Sequence, residues 1–184
     1  GVHGIEVLLE ISPRSFARLK DRRRSLAGRT GCGVCGVESF AALDLSFPPL
    51  AHQPWAAQIG LTQVLHALQQ LADKQLLSAQ CGGLHAAGWC SVDGTLLDVF
   101  EDVGRHNALD KLMGALARSA RLQEPGFVIL SSRGSHELVR KCAKLGIAAM
   151  ATVSAPASMG VRMAELTGMR LWGSCRGTQG TLHS

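Results

Sequence analysis

The sequence predicts an α/β protein, a three-layer α/β/α sandwich whose sheet mixes an antiparallel hairpin with later parallel strands. Three observations predict it. From residue 127 the chain alternates short apolar runs with amphipathic segments ("FVILS", "SHELVRKCAKLG", "IAAMATV", "PASMGVRMAELTG", "MRLWG"), the pattern of strands joined by right-handed helical crossovers. Just upstream, two strand-like runs flank Asp93-Gly94 in "GGLHAAGWCSVDGTLLDVFED", a dipeptide that favours positive φ and a tight hairpin. Finally, 184 residues with 46% hydrophobic and 18% charged side chains suffice for one core with a small appendage.

Taken in order, "GIEVLLEI" at residues 4–11 is strand-like and begins abruptly without Met, so residues 1–28 are expected to be the remnant of a small N-terminal β-rich domain whose earlier part is missing. Residues 29–58 hold a glycine-rich cysteine loop and a proline-bearing linker, "FPPLAHQP". The main α/β domain is expected over 59–184. It opens with a helix that places Leu61, Val64, Leu65, Leu68 and Leu71 on one face. After the hairpin, Leu109, Leu112, Met113 and Leu116 recur at helical spacing, with Asp102 a candidate cap. Ser135 and Gly146 are expected to cap and close the next helix, and Gly168 to close the last.

No apolar run reaches the ~18 residues that span a bilayer, and no signal peptide is visible. Six cysteines are too few for a disulfide scaffold, and only Cys32 and Cys35 are close together, which points to a reducing, cytoplasmic setting. The net charge of +5 is uneven: Arg18, Lys20, Arg22, Arg23 and Arg24 lie between Arg14 and Arg29, with Asp21 the only acid. The run lacks interleaved aromatics and the chain has no Tyr, so a phosphate-bearing small molecule or an acidic protein suits it better than nucleic acid.

In an open α/β sheet, ligands bind at the carboxyl ends of strands. Three loops belong there: "SSRGS" (131–135), "SAPAS" (154–158) and "GSCRGTQG" (173–180). Their hydroxyls, amides and the guanidinium groups of Arg133 and Arg176 suit phosphates. Arg105 and His106 stand at a helix start, where a charged imidazole is disfavoured and a neutral ring or a bound anion fits.

The cysteine pair in "RTGCGVCGVES" leaves three chemistries open: a structural zinc with Cys81 or His85, dithiol cycling, or carriage of sulfur on a thiolate. A zinc deaminase is the poorest fit. His85 begins a His-x-Glu echo, but Ala87 stands where the acid belongs and no Pro-Cys-x-x-Cys follows. No zinc is therefore expected.

Together "RTGCGVCGVES", "EDVGRHNALDKL", "SSRGSHELVRKCAKLGI", "VSAPASMGVRMAELTGMRLWG" and the late "CRG" resemble the FdhD-type formate dehydrogenase accessory proteins, from about Gly4 to the C-terminus. The resemblance implies a cytidine-deaminase-like fold without its zinc chemistry. It also implies a homodimer that takes sulfur from a cysteine desulfurase as a persulfide on Cys32, with Cys35 as companion. The sulfur would pass to a molybdenum or tungsten bis-guanine-dinucleotide cofactor, bound as substrate, for formate dehydrogenase. The family's cofactor-binding stretch falls on Ser174, Cys175, Arg176, Gly177, Thr178 and Gln179, and Arg133, Ser135, Arg105, His106 and His85 are the further candidates. Ser174 replaces a usual aromatic and Gln179 a usual basic residue, departures that bear on the strength of binding. A chaperone that holds the cofactor without transferring sulfur is the alternative.

Overall fold

The computed structural model describes residues 8, 10–20 and 48–184. The chain divides into two compact units, residues 1–44 and 45–184. In the first, the described element is helix α1, Pro13–Lys20. Its start is local chemistry: Ser12 Oγ accepts the Ser15 amide at 3.2 Å and proline fills the first helical position. Most of "GIEVLLEI" lies outside the described residues, as does the entire cysteine loop.

The second unit carries a six-stranded sheet in the order β2-β1-β3-β4-β5-β6. The strands are β1 His85–Cys90, β2 Leu96–Asp102, β3 Phe127–Arg133, β4 Ala149–Ser154, β5 Arg170–Arg176 and β6 Gln179–Leu182. The helices are α2 Leu61–Lys74, α3 Leu76–Cys81, α4 Arg105–Arg118, α5 His136–Lys144 and α6 Ser158–Thr167. β1 is antiparallel to both β2 and β3, β3, β4 and β5 are mutually parallel, and β6 returns antiparallel to β5. Strands β2, β3, β4 and β5 therefore all end at one edge of the sheet.

Alternation along the strands builds two cores. Ala86, Cys90, Phe127, Ile129, Ala149, Ala151 and Trp172 face α2, where Val64, Ala67 and Leu71 are buried. Ala87, Trp89, Val128, Leu130, Met150 and Leu171 face the other way, against Leu109, Leu112 and Leu116 of α4, Leu138, Val139 and Cys142 of α5, and Met163 and Ala164 of α6. With three crossover helices on one face and α2 on the other, the layering expected from the sequence is present.

Two local expectations are corrected. Asp93 does not take positive φ; only Gly94 does, at 91°. The turn is instead held by the Asp93 carboxylate, which accepts from the Ser91 hydroxyl and from the Thr95 amide. Gly94 packs so close to α2 that a Cβ there would lie 2.5 Å from the Gln63 carbonyl. The second correction concerns "GSCRGTQG", which is not a loop: β5 runs on to Arg176 and turns through Gly177-Thr178 into β6. A glycine at the first of two central positions, here with φ 57°, suits a tight hairpin.

The outer edge of β2 is occupied by side chains. Ala86 N donates to Ser131 Oγ on β3, so the peptide of Glu101, opposite Ala86, faces away from β1. Lys111 Nζ donates to the Glu101 carbonyl at 2.9 Å and Lys74 Nζ to the Leu96 carbonyl at 3.0 Å. The strand is also bulged opposite Trp89 and Cys90.

Candidate functional site at the strand ends

The ends of β2, β3, β4 and β5, the starts of β1 and β6, and the N-termini of α4, α5 and α6 share one sheet edge. Every described candidate from the sequence is placed there. His85 opens β1 opposite Asp102, the last residue of β2. Arg105 and His106 are the first two residues of α4, Arg133 ends β3 exposed to solvent, and Ser135 precedes α5. The stretch from Ser174 to Gln179 forms the β5–β6 hairpin. Cys32 and Cys35 lie outside the described residues, and so does any zinc site that would use them.

The loops are laced together. Ala157 N donates to the Gly134 carbonyl at 2.9 Å, and Arg176 Nη2 reaches Ser154 Oγ at 3.3 Å. Close approach does the rest. A Cβ on Gly173 would lie 2.4 Å from Pro156 Cδ and 2.9 Å from His183 Nε2, so the 154–158 loop and the C-terminal histidine lean on the strand where it has no side chain. The next residue, Ser174, takes φ 55°, a left-handed conformation uncommon outside glycine.

Asp102 organises the entry to α4 without being its cap residue, which is Gly104. Its carboxylate accepts from Gly104 N at 2.9 Å and Asn107 Nδ2 at 3.1 Å and pairs with Lys111 at 2.7 Å. The Lys111 contact first, then the two amide donors, hold its pKa down to about 2. Ser135 stands at the capping position of α5 but its hydroxyl makes no capping bond. The expected cap is thus corrected: Oγ is buried and unpartnered.

Three other buried atoms in the first turns of α4 and α5 lack a hydrogen-bond partner: Arg105 Nε, His106 Nε2 and Glu137 Oε2. His106 Nε2 is 3.2 Å from Glu137 Oε2, within ion-pair range, but the contact is not aligned as a hydrogen bond. Burial, opposed by the Glu137 charge and reinforced by Arg105, lowers the pKa of His106, in line with the neutral ring expected at a helix start. Four buried polar atoms without an aligned hydrogen bond, on side chains that are themselves partly exposed, leave donors and acceptors that a ligand or solvent could complete.

Cys175 sits differently from its neighbours. Its side chain is 2% exposed in the core facing α2, and burial pushes its thiol up to about 11. Its sulfur is thus withdrawn into that core. Glu137 and His183 were not singled out from the sequence. His183 lies in the C-terminal run after β6 and has no motif of its own; Glu137 follows Ser135 by two residues, and only the juxtaposition of α4 and α5 reveals its partner. A shallow cleft lined by Gln53, Trp55, Trp89, Glu124, Gly126 and Gly146 opens at the opposite edge of the sheet and is not part of this site.

Residues 3–184 match the family described as FdhD/NarQ. Proteins named sulfur carrier protein FdhD are similar throughout: that of Chromobacterium violaceum is 51% identical over 95% of this chain and 65% of its own length. That of Burkholderia mallei is 48% identical over 93% and 62%. The chain thus spans under two thirds of the length of these relatives. A solved structure of a candidate formate dehydrogenase accessory protein from Desulfotalea psychrophila superposes with a TM-score of 0.65 at 27% identity, over 75% of this chain and 57% of that one.

Proposed function

The chain belongs to the FdhD/NarQ family, and on that premise we propose that it is a sulfur carrier in formate dehydrogenase maturation. The Cys32 thiolate attacks the terminal sulfur of a cysteine desulfurase persulfide, taking that sulfur and releasing the desulfurase thiolate. Cys35 is its companion on the loop. The outer sulfur would then pass to a molybdenum or tungsten bis-guanine-dinucleotide cofactor, which is substrate and not a resident group. Cys32 leaves as the thiolate, and the reduced metal supplies the two electrons that turn sulfane sulfur into sulfide. The cofactor then goes to formate dehydrogenase. This takes place in the cytoplasm, in a homodimer whose sandwich is cytidine-deaminase-like in ancestry.

The strand-end edge is the seat for that cofactor. Arg133 and Arg176 supply charge-assisted donors for phosphates, and the N-termini of α4, α5 and α6 add a favourable field for anions. Asp102 does not oppose them because Lys111 neutralises it.

The observation that carries the proposal is the family match from residue 3 to 184, which takes in both the cysteine loop and the strand ends. Incubation with a cysteine desulfurase and cysteine, followed by peptide mass spectrometry, tests it. A reductant-labile gain of one sulfur on the Cys32 peptide is expected. A protein that stays unloaded while still binding guanosine diphosphate would instead be a cofactor-holding chaperone.

A further inference from the structure

The inference rests on the reading of the strand-end edge as an anion seat. Helices α4 and α5 start together at that edge, run in the same direction and are joined by two contacts one turn apart. One turn further along the helices, Lys141 Nζ sits 2.8 and 2.7 Å from the two carboxylate oxygens of Asp110, a complete ion pair on a more exposed part of the same faces. At the edge itself the equivalent positions hold His106 and Glu137, 3.2 Å apart, unaligned and with no other partner for either atom. The same pair of helix faces therefore carries one finished contact and one unfinished one.

The charged groups around the imidazole are Arg105 and Asp110 from α4 and Glu137 and Lys141 from α5. Burial, Arg105 and Lys141 favour the neutral ring, and the two carboxylates oppose them. An anion arriving beside Arg105 adds negative charge on the side of the carboxylates. The imidazolium then becomes the stabler form, and Glu137 is already in place as its acceptor.

We propose that Glu137 is a positioning residue for His106, holding the ring so that an anion bound at the strand ends is accompanied by uptake of one proton onto the imidazole. The proton comes from solvent, and no bond between heavy atoms forms or breaks. A purely structural pair would hold the helices together and add no proton uptake beyond that of the ligand's own titrating groups.

The test has two arms. In the ligand-free protein, histidine ring resonances are titrated by NMR. Glu137→Gln removes the nearest carboxylate, so His106 is expected to titrate at lower pH than in the wild type, with Glu137→Asp falling between; an unchanged titration overturns the positioning role. In the second arm, guanosine diphosphate binding is measured by calorimetry in buffers of different ionisation enthalpy. The nucleotide's own phosphate titrates near pH 6, so the uptake seen with His106→Gln is subtracted. Wild type is expected to take up more protons than His106→Gln, with Glu137→Gln intermediate, and affinity to rise by up to about tenfold per unit fall in pH. Equal uptake in wild type and His106→Gln overturns the coupling. Failure of the nucleotide to bind at any pH overturns the anion seat and the coupling with it, while the NMR arm still decides whether Glu137 holds His106.

Discussion

Gly173→Ala is a one-carbon change that tests the packing of the fold and the shape of the candidate site together. In a strand interior, replacing glycine normally gains roughly 0.5–1 kcal/mol from reduced backbone freedom. Here the new Cβ would lie 2.4 Å from Pro156 Cδ and 3.0 Å from Pro156 Cγ, so the proline must retreat by about 1 Å to reach ordinary contact. Its ring cannot swing aside as a flexible side chain would, and the 154–158 loop must move with the start of α6. Overpacking of this kind costs about 1–3 kcal/mol, which outweighs the backbone gain. For a chain of this size that corresponds to a fall in melting temperature of roughly 2–4 °C per kcal/mol. Because Ser154 moves with Pro156, the contact to Arg176 is disturbed too, and guanosine diphosphate binding should weaken in parallel. Denaturant and thermal unfolding measure the first effect and calorimetry the second. A variant as stable as the parent, or more so, would refute the packing argument.

Arg133→Ala and Arg176→Ala should each weaken guanosine diphosphate by at least about tenfold, the loss of a charge-assisted contact worth roughly 1.5–3 kcal/mol; unchanged calorimetric affinity would remove that arginine from the seat. Brief alkylation of the native protein at pH 8 should modify Cys81, which is exposed, and spare Cys90, Cys142 and Cys175. Burial raises all three, Cys142 to about 12 and Cys175 to about 11; labelling of Cys175 in the folded protein would contradict its place in the core. Asp102 has a folded pKa of about 2, below its ordinary 3.8. Its contribution to stability is therefore present above about pH 4 and lost as pH falls through 2. Lys111→Ala should make the loss of stability across that window shallower, as read from unfolding curves at several pH values.

The parallel core was legible because both faces of its strands are covered. Phe127 to Leu130 are all buried, and such strands appear in sequence as unbroken apolar runs. Strand β6 escaped notice for the opposite reason: Gln179, Thr181 and Leu182 are exposed on a four-residue edge strand, so neither length nor alternation marks it. The Asp93-Gly94 turn was located correctly, but its mechanism was not, since side-chain bonds from Asp93 replaced the positive φ expected there. At the candidate site, glycine, serine and arginine at strand ends marked segments that the fold does bring to one edge. The roles of individual atoms needed three dimensions: the inward turn of Cys175, the failure of Ser135 to cap, and the meeting of His106 with Glu137 across two helices.

The lysines on the outer side of β2 set a boundary on assembly. An edge strand with free carbonyls is a template on which another chain can add a strand, and sheets that grow this way become fibres. Lys74 and Lys111 fill two of those acceptors on β2, and the bulge near the turn spoils the remaining register. A second molecule seeking to extend the sheet there would have to displace two ammonium groups and bury their charge. Subunits of the proposed homodimer must therefore meet on a surface other than this edge. In the proposed role, carrying sulfur between partners, the chain can then meet its neighbours without pairing to them along β2.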